Sequence, residues 1–125
     1  MSGQLTTHVL DLSLGKPAAG MSLQLWRFGE VMPALIREAV TNSDGRLDAP
    51  LLAGEELLAG SYELVFMAGD YFRGAQTDAG GEPASGTGSM FLEHIPIRFN
   101  ITDPAEHYHV PLLVAPGGYS TYRGS

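Results

Sequence analysis

Cysteine is absent from the 125-residue sequence, so disulfides and thiolate metal sites are excluded. The absence also suits a reducing compartment. Cations are scarce, with seven Lys+Arg against fourteen Asp+Glu and a net charge of -7. Nucleic acid and anionic membrane surfaces both need clustered cations, so neither is expected as a partner. No apolar run approaches the roughly 20 residues of a membrane span. The opening stretch has neither the basic start nor the apolar core of a secretory leader, and a soluble, cytoplasmic protein is expected. Helical periodicity sustained over about ten residues between strands is missing too, which argues against an α/β fold. There is no internal repeat, phosphate loop or dinucleotide fingerprint. Ser85-Gly86-Thr87-Gly88-Ser89 lies in a polar loop and is no strand-turn-helix nucleophile elbow.

What is present reads as one domain over residues 1–125, long enough to bury about two thirds of its unfolded surface. The most informative stretch is the last one. From His107 to Val114 the chain alternates, with Tyr108, Val110, Leu112 and Val114 on one side and His107, His109, Pro111 and Leu113 on the other. That is the period of a strand with one buried face. Pro116-Gly117-Gly118 then supplies a turn, Pro by its fixed φ and Gly by its tolerance of positive φ. Tyr119 to Arg123 return as a second strand, and Gly124-Ser125 follow.

Earlier segments repeat the pattern. Leu5–Leu14 reads as a strand holding His8 and Asp11. Met21–Phe28 alternates Met21, Leu23 and Leu25 against Ser22, Gln24 and Trp26. Pro33–Val40 is too short for a secure helix and is read as a strand. Asn42-Ser43-Asp44-Gly45 is a turn signal, and a short strand is expected at Arg46–Asp48. Tyr62, Leu64 and Phe66 mark the inner face of another strand, and Ile95, Ile97, Phe99 and Ile101 that of the next. Asp70–Gly74 is expected to form one helical turn. Thr77–Ser89, rich in Gly, Ser and Pro, is expected to be an exposed, mobile loop. Seven or eight short strands at even spacing predict an all-β sandwich of antiparallel sheets.

Four histidines are candidates for chemistry: His8, His94, His107 and His109. A lone histidine on a strand is most often a surface or structural residue, and His94 is read so. His107 and His109 share a face. Imidazoles suit zinc, but a third ligand is not evident, so no metal is assigned. Glu55-Glu56, Arg46 and Arg123, taken alone, read as solvated surface.

Three motifs together carry a resemblance. His107-Tyr108-His109-Val110-Pro111-Leu112-Leu113 and the ending Tyr119-Ser120-Thr121-Tyr122-Arg123-Gly124-Ser125 strongly resemble the 5-hydroxyisourate hydrolases, the transthyretin-related enzymes of purine degradation. Leu5-Thr6-Thr7-His8-Val9-Leu10-Asp11 with Gly15-Lys16-Pro17-Ala18, and Asn42-Ser43-Asp44-Gly45-Arg46, match two further motifs in family order. The resemblance implies a transthyretin-like sandwich of two four-stranded antiparallel sheets with at most one short helix, assembled as a homotetramer. It implies His8, Arg46 and His109 as the catalytic set and Ser120, Tyr122, Arg123, Gly124 and Ser125 as substrate-binding residues. It implies a small-molecule substrate, 5-hydroxyisourate, and no cofactor. The rival reading within the same fold is a non-catalytic carrier, for which other residues would stand at positions 8, 46 and 109. Two departures are visible: many relatives carry Ser-Pro-Tyr-Gly where this chain has Ala115-Pro116-Gly117-Gly118, and the polar stretch Thr77–Ser89 is long.

Overall fold

The structure is a computed structural model that describes residues 3–80 and 90–124, the side chains of 75–80 excepted. Eleven short strands are described, β1 Gln4–Thr6, β2 Val9–Asp11, β3 Lys16–Pro17, β4 Ser22–Phe28, β5 Pro33–Val40, β6 Leu52–Ala53, β7 Gly60–Phe66, β8 Ile95–Ile101, β9 Tyr108–His109, β10 Leu112–Ala115 and β11 Gly118–Thr121. One helix, α1 (Ala68–Gly80), joins β7 to β8, and a single 3-10 turn spans Gly54–Glu56.

The strands form a four-stranded sheet ordered β5-β4-β7-β8, a second ordered β11-β10-β2-β3, and a small three-stranded ladder β6-β1-β9. The alternating apolar positions become one core between the layers. Leu23 and Leu25 of β4, Tyr62, Leu64 and Phe66 of β7, and Ile95, Ile97 and Ile101 of β8 meet Leu5, Val9, Tyr108, Val110, Leu112 and Val114. Among the described residues no helix is long and apolar enough to cross a membrane.

Several expectations change in detail. The first sheet is antiparallel throughout, but β2 runs parallel to β10 and β1 parallel to β9. A parallel pair needs a long crossover, and here the whole first sheet lies between the two partners in sequence. Leu5–Leu14 keeps its in-out alternation from Gln4 to Asp11, yet its ladder breaks at Thr7-His8 because the neighbours change. β1 pairs with β6 and β9, β2 with β3 and β10. The strand expected at Arg46–Asp48 is absent. Arg46 makes only an isolated antiparallel bridge to His8, and the next strand is β6.

The helix is the largest departure. It runs for 13 residues from Ala68 rather than for one turn over Asp70–Gly74. It therefore takes in 77–80 of the stretch read as loop, while 81–89 lie outside the described residues. Three glycines inside it give little intrinsic helical preference. Tertiary contacts compensate. Ala68 and Phe72, at i and i+4, are buried. A Cβ at Gly69 would collide with the Glu93 side chain, and the Gly69 N–H donates to the Glu93 carbonyl at 2.8 Å. Arg73 forms ion pairs with Glu93 (2.7 Å) and Asp70 (2.5 Å). The Tyr71 hydroxyl donates to Asp11 Oδ2 at 2.7 Å. Asp11 is fully buried, and its Oδ1 also accepts from Ser13 N–H and Oγ–H.

The β10–β11 hairpin closes with Ala115 opposite Gly118, leaving Pro116-Gly117 as the two-residue loop. Neither Gly117 nor Gly118 is among the positive-φ glycines of the described residues. A Cβ at Gly117 would meet nothing within 4 Å, so within the chain the turn has no steric need of glycine there.

Candidate active site

The site begins with the ladders. In the β1–β9 register Thr6 sits opposite His109, and in the β2–β10 register Val9 sits opposite Leu112. His8 lies between these pairs, and the Leu112 N–H donates to the His8 carbonyl at 2.9 Å. The outward positions of the first segment, Gln4, Thr6 and His8, are therefore laid beside the outward position of β9, which is His109. On the other side His8 bridges to Arg46.

Arg46 is delivered by the turn before it. Asn42 Oδ1 accepts from the N–H groups of Asp44 and Arg46, at 2.9 and 3.1 Å. This side-chain turn ties the loop to its own backbone. Gly45 has φ 75°, and a Cβ there would stand 2.3 Å from the Val9 carbonyl oxygen. The tight approach lets the Val9 N–H donate to the Gly45 carbonyl at 2.8 Å. The Asp44 carbonyl is thereby placed 2.9 Å from His8 Nε2. A carbonyl only accepts, so Nε2 carries the proton and the lone pair of a neutral His8 lies on Nδ1.

His109 is half-buried. Its Nδ1 stands 2.8 Å from Thr6 Oγ1. The Gly124 N–H donates to its carbonyl at 2.7 Å, and the ring packs so closely on Gly124 that a Cβ there would lie 2.8 Å from Cδ2. Burial holds the imidazole pKa below its ordinary value, and the charges of Arg46 and His8 push the same way. His109 therefore takes up a proton less readily than an exposed histidine does.

Arg46 and His109 border a cleft of about 370 Å³ that Gln4, Thr6 and Asp48 also line. That volume falls within the range of small-molecule sites. The cleft combines an imidazole of lowered pKa, a guanidinium, the hydroxyls of Thr6 and Thr7 and the amide of Gln4, a set able to accept a proton and to stabilise developing negative charge. Among the described residues no group of three or more His, Asp or Glu side chains could hold a metal ion.

The structure brings His8 beside Arg46 and Gly124 against the His109 ring, but none of the described tail residues lines this cleft. Arg123 lies 4.4 Å over the Tyr108 ring and donates to the Glu106 carboxylate and the His107 carbonyl. With Tyr122 it lines a separate depression beside β8. Ser120 is exposed on edge strand β11, opposite Leu113. Ser125 lies outside the described residues. His94 and His107 are exposed. Thr6 was missed by the sequence reasoning, although the outward alternation Gln4, Thr6, His8 carried its signal.

Fold and site together define a transthyretin-type β-sandwich with an imidazole–guanidinium cleft. A family model described as HIUase/Transthyretin family matches residues 5–124. The chain belongs to that family, and within it to the hydrolases. It is 56% identical over its whole length to the 5-hydroxyisourate hydrolase of Halalkalibacterium halodurans, all of which is covered. The crystal structure of an (S)-allantoin synthase superposes with TM-score 0.84 at 46% identity, covering 99% of this chain but only 44% of that one. The Klebsiella pneumoniae 5-hydroxyisourate hydrolase gives TM-score 0.73 at 38% identity, covering 98% and 99% of the two chains. Sparus aurata transthyretin gives TM-score 0.79 at 24% identity, covering 97% and 96%, a likeness of fold.

Proposed function

We propose that this chain hydrolyses 5-hydroxyisourate to 2-oxo-4-hydroxy-4-carboxy-5-ureidoimidazoline in urate degradation. The observation that carries the reading is that Arg46 and His109, from distant stretches of chain, line one cleft, with His8 bridged to Arg46 beside it. In the proposed reaction a water gives a proton to His109 Nε2 as its oxygen bonds to the ring amide carbonyl carbon. Arg46 donates to the oxyanion so formed, a preorganised contribution of about 3 kcal/mol to the barrier. The C–N bond then breaks, and the departing ring nitrogen takes the proton back from His109. A neutral imidazole suits both transfers near neutral pH. His8, tied through Nε2 to the turn that carries Arg46, contributes its Nδ1 to the same proton network.

The tail completes the site in this reading. Gly124 backs the His109 ring, and Arg123 moors the tail through Glu106 and the His107 carbonyl. Ser120, Tyr122, Arg123 and Ser125 contact substrate only when a second copy brings its cleft alongside, in a cytoplasmic homotetramer. Support for such assembly comes from β8 and β11, edge strands of their sheets, and from Tyr119 and Tyr122, which are 44% and 60% exposed. The test is to add purified protein to freshly made urate oxidase product and follow the ultraviolet decay of the intermediate. Acceleration is expected, and His109→Gln should return the rate to nearly the spontaneous one. A wild-type protein that leaves the decay unchanged refutes the assignment.

A further inference from the structure

The Thr6 hydroxyl and His109 Nδ1 are 2.8 Å apart, and the contact is not a chance of side-chain rotation. Thr6 and His109 are direct partners in the parallel β1–β9 register, and the Val110 N–H donates to the Thr6 carbonyl at 2.9 Å beside them. The backbone therefore sets the separation of hydroxyl and ring. The rest of the ring is accounted for as well. Its Cγ and Cδ2 edge lies against Gly124, which leaves Nε2 and Cε1 as the open end. Nε2 has no hydrogen-bond partner among the described residues.

We propose that Thr6 is a positioning residue for His109, its hydroxyl oxygen accepting the Nδ1 proton and so keeping the lone pair on Nε2 for the reacting water. The inference rests on the hydrolase reading above. It explains why a hydroxyl stands here. A base acting at Nε2 needs its proton on Nδ1 in the neutral state, and it keeps that proton when Nε2 is protonated. One acceptor on Nδ1 serves both states without rearrangement. A carboxylate in the same place would stabilise the imidazolium and make proton return to the leaving nitrogen harder. A hydroxyl orients the ring at no such charge. Thr6 Oγ1 has no other partner among the described residues, so nothing competes for its lone pairs. The contrast with His8 is instructive, because there the carbonyl of Asp44 fixes the opposite tautomer.

The test pairs spectroscopy with kinetics. Nitrogen-15 NMR of the His109 ring, recorded where the imidazole is neutral, should show Nδ1 protonated in the wild type and a mixture or the opposite tautomer in Thr6→Val. Val keeps the branched shape of Thr, and circular dichroism with a melting curve checks folding. In the same variant kcat should fall by about 10–100-fold, the usual cost of losing a group that orients an active-site imidazole, while KM changes little. Thr6→Ser, which restores the hydroxyl, should recover kcat to within about threefold of wild type. An Nε2-protonated wild-type ring, or a Thr6→Val enzyme with unchanged kcat, overturns the proposal. A wild-type protein with no activity on 5-hydroxyisourate overturns the functional reading instead. The NMR result would still decide whether Thr6 sets the tautomer.

Discussion

Gly124→Ala probes the tail and the His109 imidazole with a single methyl group. The backbone at Gly124 is not in the left-handed region, so alanine can adopt its φ and the effect is one of space. The added Cβ would lie 2.8 Å from His109 Cδ2, 3.2 Å from Cβ and 3.3 Å from Cγ. Ordinary carbon–carbon contact is about 3.5–4.0 Å, so ring and tail must part by roughly 1 Å. If the ring yields, it leaves Thr6 Oγ1 at the far side and the open Nε2 end swings with it. A displacement of about 1 Å can cost on the order of 100-fold in rate. If the tail yields, it gives up the 2.7 Å bond from the Gly124 N–H to the His109 carbonyl. That loss is about 1 kcal/mol, borne by the last residues rather than by the core. Either route leaves the sandwich intact and loosens the site. The expected result is a kcat/KM lower by about 10–100-fold with the melting temperature nearly unchanged. The assay is the ultraviolet decay of freshly generated 5-hydroxyisourate, corrected for spontaneous loss, with the His109 ring resonances as a local check. Wild-type kcat/KM together with unmoved ring resonances would refute the steric argument.

Arg46→Gln removes one of the causes, second to burial, that hold the His109 pKa down. The pKa should rise, so the acid limb of kcat/KM should move up toward about pH 6.5 as the rate itself falls. A limb that stays or moves to lower pH would contradict the coupling. The same shift enters stability: because folded His109 binds its proton less readily than the unfolded chain does, its contribution is full above about pH 6.5 and declines as the pH drops below that value. Urea melts of wild type and His109→Gln across that window should converge at low pH, and parallel curves would count against it. Tyr71→Phe removes the hydroxyl that donates to buried Asp11. Burial first, and then the Asp11 bond and charge, raise the phenol pKa, so it stays a donor at any working pH. The loss should cost about 1.5–3 kcal/mol, as for a hydrogen bond to a charged group, with activity retained. A matching loss of activity would mean that the helix anchor also shapes the cleft.

Much of this protein was legible in its residues because a strand writes its buried face directly into sequence. The alternation of Tyr108, Val110, Leu112 and Val114, and that of Tyr62, Leu64 and Phe66, named the core positions, since a period of two leaves no choice of face. The Asn42-to-Arg46 turn was equally plain, because Gly45 needs a positive φ and Asn42 caps its own loop. Helix α1 was not legible, for its glycines argue against it and what holds it is Glu93, Asp11 and the core beneath Phe72, all supplied by distant segments. Partner choice lies beyond local pattern as well. Nothing in Leu5–Leu14 says that it will run parallel to the chain after His107, and that pairing alone brings Thr6 beside His109. The sequence by itself determined which side chains face inward and which turns close, because both follow from local geometry. Only the tertiary structure decided which outward faces meet, because hydrogen-bonded ladders join residues a hundred positions apart and so lay the Thr6 hydroxyl against His109 Nδ1.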